Sequence, residues 1–471
     1  QFMIESFLIN FIACGLAFTI VKITITTFSS LTSQTHPDQL ISEPFIWVLI
    51  GSILLFGTVL SGIYPAFVLS SFKPSSVLKG KYANSSGAYL LRKGLVVFQF
   101  VTTVVLIAVS ITVYYQMDHL RNLKLGMEID NTLVVRSPSI KLADSLYDQA
   151  TRSFTKRLRG NAAVEAVTMS EALPGIAMDE LSTTTGVRRS SADENVGSYN
   201  YYLYDIDENF LPTLGIELVA GRNFLENEPR KRAIINEKAV ETLGFESAED
   251  AIGKLIQYGG GDYREEIVGV INNFHQRSPK EKHIPMIHRY SYVEDYITIK
   301  FTTLDSKQAL AAVESTWNEF FPDAAFDYFF LNDTYNHQYR TDQVFSSVVV
   351  LFTILSLIIA LLGLFGLSTF TILQRTKEIG VRKVLGASTA TLISLLSKDF
   401  LKLVVLAGLV AIPIAYFLTD LWLDNYSSKV TLTWWLFVLP IVLIVVVAFI
   451  SVIGQTLKST IANPVDSLRT E

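Results

Sequence analysis

Four stretches of this chain, residues 44–72, 94–117, 343–374 and 430–457, contain no Asp, Glu, Lys or Arg. A bilayer core about 30 Å thick is crossed by about 20 apolar residues in a helix. Each of the four runs exceeds that length, so a single soluble domain is excluded. The charged fraction agrees, at 18% against about 25% in an average soluble protein. Two weaker runs complete a set of six spans: 4–27, 44–70, 93–118, 343–374, 400–423 and 433–457. Residues 6–37 carry one charge, Lys22. The fifth span is charge-free only over 403–419 and contains Pro413, a gap that neighbouring helices can repair in a membrane.

Flanking charge gives the orientation, because Lys and Arg accumulate on the cytoplasmic side. Segment 71–93 holds Lys73, Lys79, Lys81, Arg92 and Lys93 with no acid. Segment 375–399 holds Arg375, Lys377, Arg382, Lys383 and Lys398 against Glu378 and Asp399, and the tail adds Lys458 and Arg469. Loop 28–43 has no Lys or Arg, and 424–432 has only Lys429. With six alternating spans, every basic segment falls on one side. Both ends are then cytoplasmic, and residues 119–342 lie outside as one large domain.

That domain reads as soluble α+β. Strands are expected at 133–136, 165–169, 199–204, 232–235, 266–270, 296–301 and 326–330, from alternating or β-branched runs. Helices are expected at 143–158 and 306–320. Gly259–Gly261 reads as a hairpin or loop tip. The strand–helix–strand units suggest small mixed sheets. A helix from Arg92 to Lys124 would be roughly 48 Å long, more than a membrane requires. The outer ends of spans three and four are therefore expected to form a two-helix stalk. The fold class is a membrane α-helical bundle of six transmembrane helices with a large extracytoplasmic α+β domain on that stalk.

The membrane portion repeats itself. Phe7-Leu8 and Gly15-Leu16 match Phe400-Leu401 and Gly408-Leu409 at one offset; Pro74, Leu78 and Lys79 match Pro464, Leu468 and Arg469 at another. Each set lies at the start or just past the end of a helix pair, as in pseudo-symmetric transporters. Gly51, Gly57, Gly62, Gly363 and Gly366 are candidates for close helix contact.

The most informative stretch is Arg375-Thr-Lys-Glu-Ile-Gly-Val-Arg-Lys-Val-Leu-Gly-Ala-Ser388, between spans four and five. Gly386 suits the left-handed position after a helix, and Ser388 suits the cap of the next one. The expected result is a compact helix–turn–helix knob in which Ile379, Val384 and Leu385 alternate with Lys377, Glu378, Arg382 and Lys383. An ordinary basic loop needs neither the cap pair nor the embedded apolar residues.

Glu378-Ile-Gly-Val-Arg-Lys-Val-Leu-Gly-Ala-Ser388 resembles the cytoplasmic coupling segment of MacB/FtsX-like ABC transporter permeases. The outer domain is similar to the MacB-type periplasmic core domain at Phe210–Phe224, Ile234–Glu237, Ile252–Lys254 and Ile267–Val270. Tyr64–Phe67, Phe72–Pro74 and Leu91–Phe100 look like the join between halves of long, duplicated permeases. The resemblance covers nearly the whole chain. It departs from the simple four-helix form by two extra leading helices. This fits a division into 1–90 (last two helices of a first half, with linker), 91–118 (transmembrane and stalk helix), 119–342 (periplasmic core domain) and 343–471 (three-helix domain carrying the coupling segment, 375–398). The chain opens on Gln1 and reads as a piece of a longer protein, its first coupling segment expected upstream.

The resemblance implies a permease subunit that transmits ATP-driven motion to the outer domain, for export of an antibiotic, peptide or lipid-linked substrate. Its site residues would be Lys377, Glu378, Ile379, Gly380, Arg382, Lys383, Val384, Leu385, Gly386, Ala387 and Ser388. They would rest in a groove of a separate cytoplasmic ABC ATPase, which would hold the ATP and Mg; no cofactor is expected in this chain. Other implied partners are the lipid bilayer of the bacterial inner membrane, a second permease copy or half, and a periplasmic or outer-membrane partner. A lipoprotein-releasing or peptide-sensing permease stays open as an alternative, as does a membrane-anchored receptor or scaffold.

Other classes find little support. Net charge is −5, whereas nucleic-acid binders usually carry a basic domain. The single cysteine, Cys14, permits no intrachain disulfide and no Cys-based zinc site. No P-loop or H-E-x-x-H pattern occurs, and Ser170 and Ser182 lack a G-x-S-x-G elbow. His283 and His288 flank Pro285, poor geometry for a helical metal pair. Asp205, Asp207 and Glu208 read as a solvated turn before a helix.

Overall fold

The computed structural model describes residues 2–32, 43–70, 86–138, 144–190, 199–258, 263–291, 295–302, 306–375, 378, 381–382, 385 and 387–461. Gly259–Gly261, the 72–74 join and both basic ends of the repeat, 74–79 and 464–469, lie outside them. The principal helices are α1 (Phe2–Thr32), α2 (Pro44–Ser70), α3 (Ser86–Asn122), α4 (Asp144–Arg159), α5 (Glu237–Leu243), α6 (Ser306–Phe320), α7 (Leu331–His337), α8 (Arg340–Gln374), α9 (Thr389–Leu423) and α10 (Trp435–Ile461). The chain forms two compact units: residues 1–114, 341–420 and 432–471, and residues 115–340 with 421–431.

In the first unit, α1, α2, α3, α8, α9 and α10 are each long and apolar enough to cross a membrane. Helix is the form these runs must take there, since it satisfies every backbone group within the segment. α3, α8, α9 and α10 share a buried core that includes Phe100, Val104, Leu364, Val404 and Ile444. Ala360, Ala407, Ala411 and Ala448 lie in the same core, where small side chains let helix backbones approach. Hydroxyl pairs link α3 to α8: Thr103 to Ser356 at 2.8 Å and Ser110 to Thr353 at 2.7 Å.

α1 and α2 pack antiparallel. Gly62 lies against Met3 and Gly57 against Asn10, while the rings of Phe18 and Trp47 are 5.5 Å apart. The Asn10 amide donates to Ser61 Oγ at 3.0 Å. Gly363 lies similarly against Gln99. Gly51 and Gly366 do not make close helix contacts, because a Cβ at either would meet nothing within 4 Å. In α2, Thr58 and Gly62 are buried; so are Ala448 and Val452 in α10, at the spacing of the sequence repeat. Gly408 abuts Ile441 whereas Gly15 faces open space, so the repeat does not extend to identical packing.

In the second unit the strands are β1 (Thr132–Arg136), β2 (Val164–Ser170), β3 (Thr183–Thr185), β4 (Arg188–Arg189), β5 (Asn200–Ile206), β6 (Leu218–Gly221), β7 (Arg232–Asn236), β8 (Leu255–Gln257), β9 (Arg264–Ile271), β10 (Met286–Tyr290), β11 (Tyr296–Phe301) and β12 (Tyr328–Phe330). They form one continuous mixed sheet in the order β12-β1-β11-β2-β5-β10-β7-β9-β8-β4, with β3 on β5 and β6 on β9. This corrects the expectation of separate small sheets. The reason is local: β2 and β5 pair at Ser170 with Ile206, enough to join two otherwise distinct halves. One half buries Phe154 of α4, Trp317 of α6 and Phe321 just after it against β1, β2 and β11. The other buries Ala239, Val240 and Leu243 of α5 against β7, β9 and β10.

Asp207 lies at the join, and the solvated-turn reading of this cluster is wrong. Its side chain is 2% exposed. The carboxylate accepts from the Thr168 hydroxyl, from Met169 N at 3.2 Å and from Asn209 N at 3.1 Å. Strand β5 ends here, and buried backbone N–H groups left over at a strand end require an acceptor. Burial raises the Asp207 pKa to about 6 against these hydrogen bonds. Asp205 pairs with Arg289 at 2.7 Å. His288 is buried beside the rings of Tyr204 and Phe274, and the His283 ring lies 4.2 Å from that of His275, tilted by 35°.

Candidate coupling site

The knob begins where α8 stops. Arg375 N donates to the carbonyls of Thr371 and Ile372, both at 3.1 Å. Its guanidinium reaches forward to Asp399 of α9 at 3.3 Å. Glu378 and Arg382 form an i,i+4 pair at 2.8 Å, exposed and therefore worth about 0–1 kcal/mol. Leu385 N donates to Val381 O at 3.0 Å, and Ala387 N to Arg382 O at 2.9 Å. The second bond spans five residues. Ser388 then caps α9: its hydroxyl accepts from Thr391 N at 3.2 Å.

Packing anchors one side of the knob. Ala387 sits on a small core made by Ile372 of α8 and Leu392 of α9. The other side is uncovered: Leu385 is 79% exposed and Val381 51%. Four residues apart, these two lie on one helical face, flanked by Glu378 and Arg382. Of the residues singled out in sequence, Glu378, Arg382, Leu385, Ala387 and Ser388 are therefore placed, Ala387 as anchor rather than contact surface. Lys377, Ile379, Gly380, Lys383, Val384 and Gly386 lie outside the described residues. Val381 was missed; its four-residue spacing to Leu385 was the available signal.

Among the described residues, no cluster of three or more His, Cys, Asp or Glu side chains could hold a metal. What the site offers is an apolar pair within a charged rim, on a segment tied to the ends of two apolar helices.

The FtsX-like permease C-terminal family matches residues 350–464, and the MacB-like periplasmic core domain matches residues 100–318. The macrolide export ATP-binding/permease protein MacB of Bartonella henselae is 26% identical over 265 residues, 52% of this chain and 37% of that protein. The match thus spans well under half of the relative's length. Two solved structures are similar: the periplasmic region of MacB from Actinobacillus actinomycetemcomitans and the extracellular domain of the noncanonic ABC-type transporter YknZ from Gram-positive bacteria. The first is 14% identical, covering 46% of this chain and 97% of that one, with TM-score 0.31. The second is 18% identical, covering 42% and 98%, with TM-score 0.29.

Proposed function

The chain belongs to the MacB/FtsX-like ABC transporter permeases, and on that premise we propose that it is a permease subunit passing ATP-driven motion from a separate cytoplasmic ATPase to its outer domain. Six helices span the inner membrane with both ends inside, an orientation favoured by the basic segments. The outer ends of α3 and α8, helices of 37 and 35 residues, carry the core domain as a two-helix stalk. Residues 377–388 dock on the ATPase, which holds the ATP and Mg, and the work done is export or extrusion of a substrate.

The observation that carries this reading is the exposure of Val381 and Leu385 on an anchored, capped segment. Burying one such side chain is worth about 1.5–3 kcal/mol, so a partner groove has a clear gain. Val381→Asp and Leu385→Asp each place a carboxylate in that contact and should reduce ATPase co-purification and stimulation about tenfold or more. Arg382→Glu should act more weakly. Membrane insertion should survive all three changes. Wild-type co-purification and stimulation by both Asp variants would reject the segment as the coupling element.

A further inference from the structure

Three segments of the second unit converge on one stretch of chain, residues 275–281, within the link from β9 to β10. Just beyond α3, Leu125 O accepts from His275 N at 2.9 Å. From α7, which leads into α8, the Tyr335 hydroxyl donates to the carbonyls of His275, at 3.2 Å, and Arg277. Gln338, two residues before α8, accepts from Ser278 N at 2.7 Å. The loop between α9 and α10 arrives at the same place. Ser427 N donates to Lys280 O at 2.9 Å. The Ser427 hydroxyl lies 3.0 Å from both Pro279 O and Glu281 O. One serine thus binds Lys280 O through its N–H and shares its single hydroxyl proton between the flanking carbonyls.

That loop is held more firmly than a simple helix connection requires. Gln116 of α3 is fully buried; its amide donates to Ser428 O at 2.8 Å and accepts from Val430 N at 2.9 Å. Tyr426 is also buried, with the Lys280 ammonium 4.8 Å from its ring centroid. On its inner side the stretch reaches the sheet. Gln276 takes the Tyr204 hydroxyl of β5 and donates to Leu173 O at 2.9 Å, and the chain continues directly into central strand β10.

We propose that residues 275–281 are the relay through which movement of the membrane helices reaches the core sheet. Ser427 acts as the positioning residue that locks the α9–α10 loop to it, and Gln116 as the one that holds that loop on α3. The inference rests on the permease reading above. It adds a third input, from α9 and α10, to the two covalent connections through α3 and α8. Coupling of this kind travels through packed and hydrogen-bonded elements that shift together.

The test is hydrogen exchange on the full chain with its co-purified ATPase in nanodiscs, with and without Mg and a non-hydrolysable ATP analogue. In the wild type, nucleotide should change exchange at 275–281 and in β10. Ser427→Ala and Gln116→Leu should shrink that nucleotide-dependent difference by roughly threefold or more, within the range by which such residues tune coupling. ATPase association and basal hydrolysis should stay at wild-type level, and Ser427→Thr, which keeps the hydroxyl, should restore the response. If the Ala and Leu variants keep the wild-type response, or only raise exchange equally in both conditions, these residues are structural supports and the relay is rejected. If no ATPase co-purifies with the wild type, the permease reading itself fails.

Discussion

At the residue scale, two exposed apolar side chains and one buried carboxylate stand against the usual distribution of residue types. Val381 and Leu385 are 51% and 79% exposed beside Glu378 and Arg382. Asp207 sits inside, where a carboxylate is costly unless hydrogen-bonded. Its pKa of about 6 in the fold exceeds the value of about 3.9 for an unfolded Asp. Between those values the folded state binds the extra proton. The stabilisation is therefore complete below about pH 4 and is lost as pH rises through about 6. At about 1.4 kcal/mol per unit, the loss is on the order of 2–3 kcal/mol. Denaturant midpoints of the full chain should fall between pH 4.5 and 7.5. Asp207→Asn should flatten most of that slope, since Asn keeps one oxygen for Thr168 and carries no charge. An unchanged slope in the variant would assign the pH dependence elsewhere.

At the element scale, the start of α9 is fixed by Ser388. Ser388→Ala removes the acceptor for Thr391 N and should cost about 1 kcal/mol. It should appear as faster amide exchange over 389–392, with Ser388→Asp retaining protection. The α1–α2 pair depends instead on lack of bulk. A Cβ at Gly57 would lie 2.8 Å from Asn10 Oδ1, so Ala can be absorbed by a shift of that amide, whereas Leu cannot. Gly57→Leu should therefore lower disulfide formation between cysteines placed at Phe18 and Trp47 severalfold. Asn10→Leu should lower it much less, since a hydrogen bond between membrane helices is worth only about 0.6 kcal/mol.

At the scale of the whole molecule, the distribution of basic residues makes a direct prediction. In a Cys14→Ala background, a cysteine at Tyr263, 46% exposed in the core domain, should react with a membrane-impermeant maleimide added to intact spheroplasts. A cysteine at Leu385 should react only after permeabilisation. Labelling of both from outside would overturn the six-span topology. The same experiment tests the proposal that residues 119–342 lie outside.

The sequence by itself determined the apolar helices and most core-domain elements. β11 runs from Tyr296 to Phe301 and α6 from Ser306 to Phe320, as the local pattern indicated. Those assignments were legible because charge-free length and residue periodicity are properties of a single segment. The Ser388 cap was legible for the same reason, since a cap acts over three residues. Only tertiary structure decided that two half-sheets join at Ser170 and Ile206, that Asp207 is buried there, and that Ser427 meets the carbonyls of 279–281. In each case the partners are separated by tens to more than a hundred residues. A lone acid or serine looks the same in sequence whether water or a distant backbone satisfies it. Burial and hydrogen-bond partnership are set by what the rest of the chain brings alongside, and no local pattern encodes that.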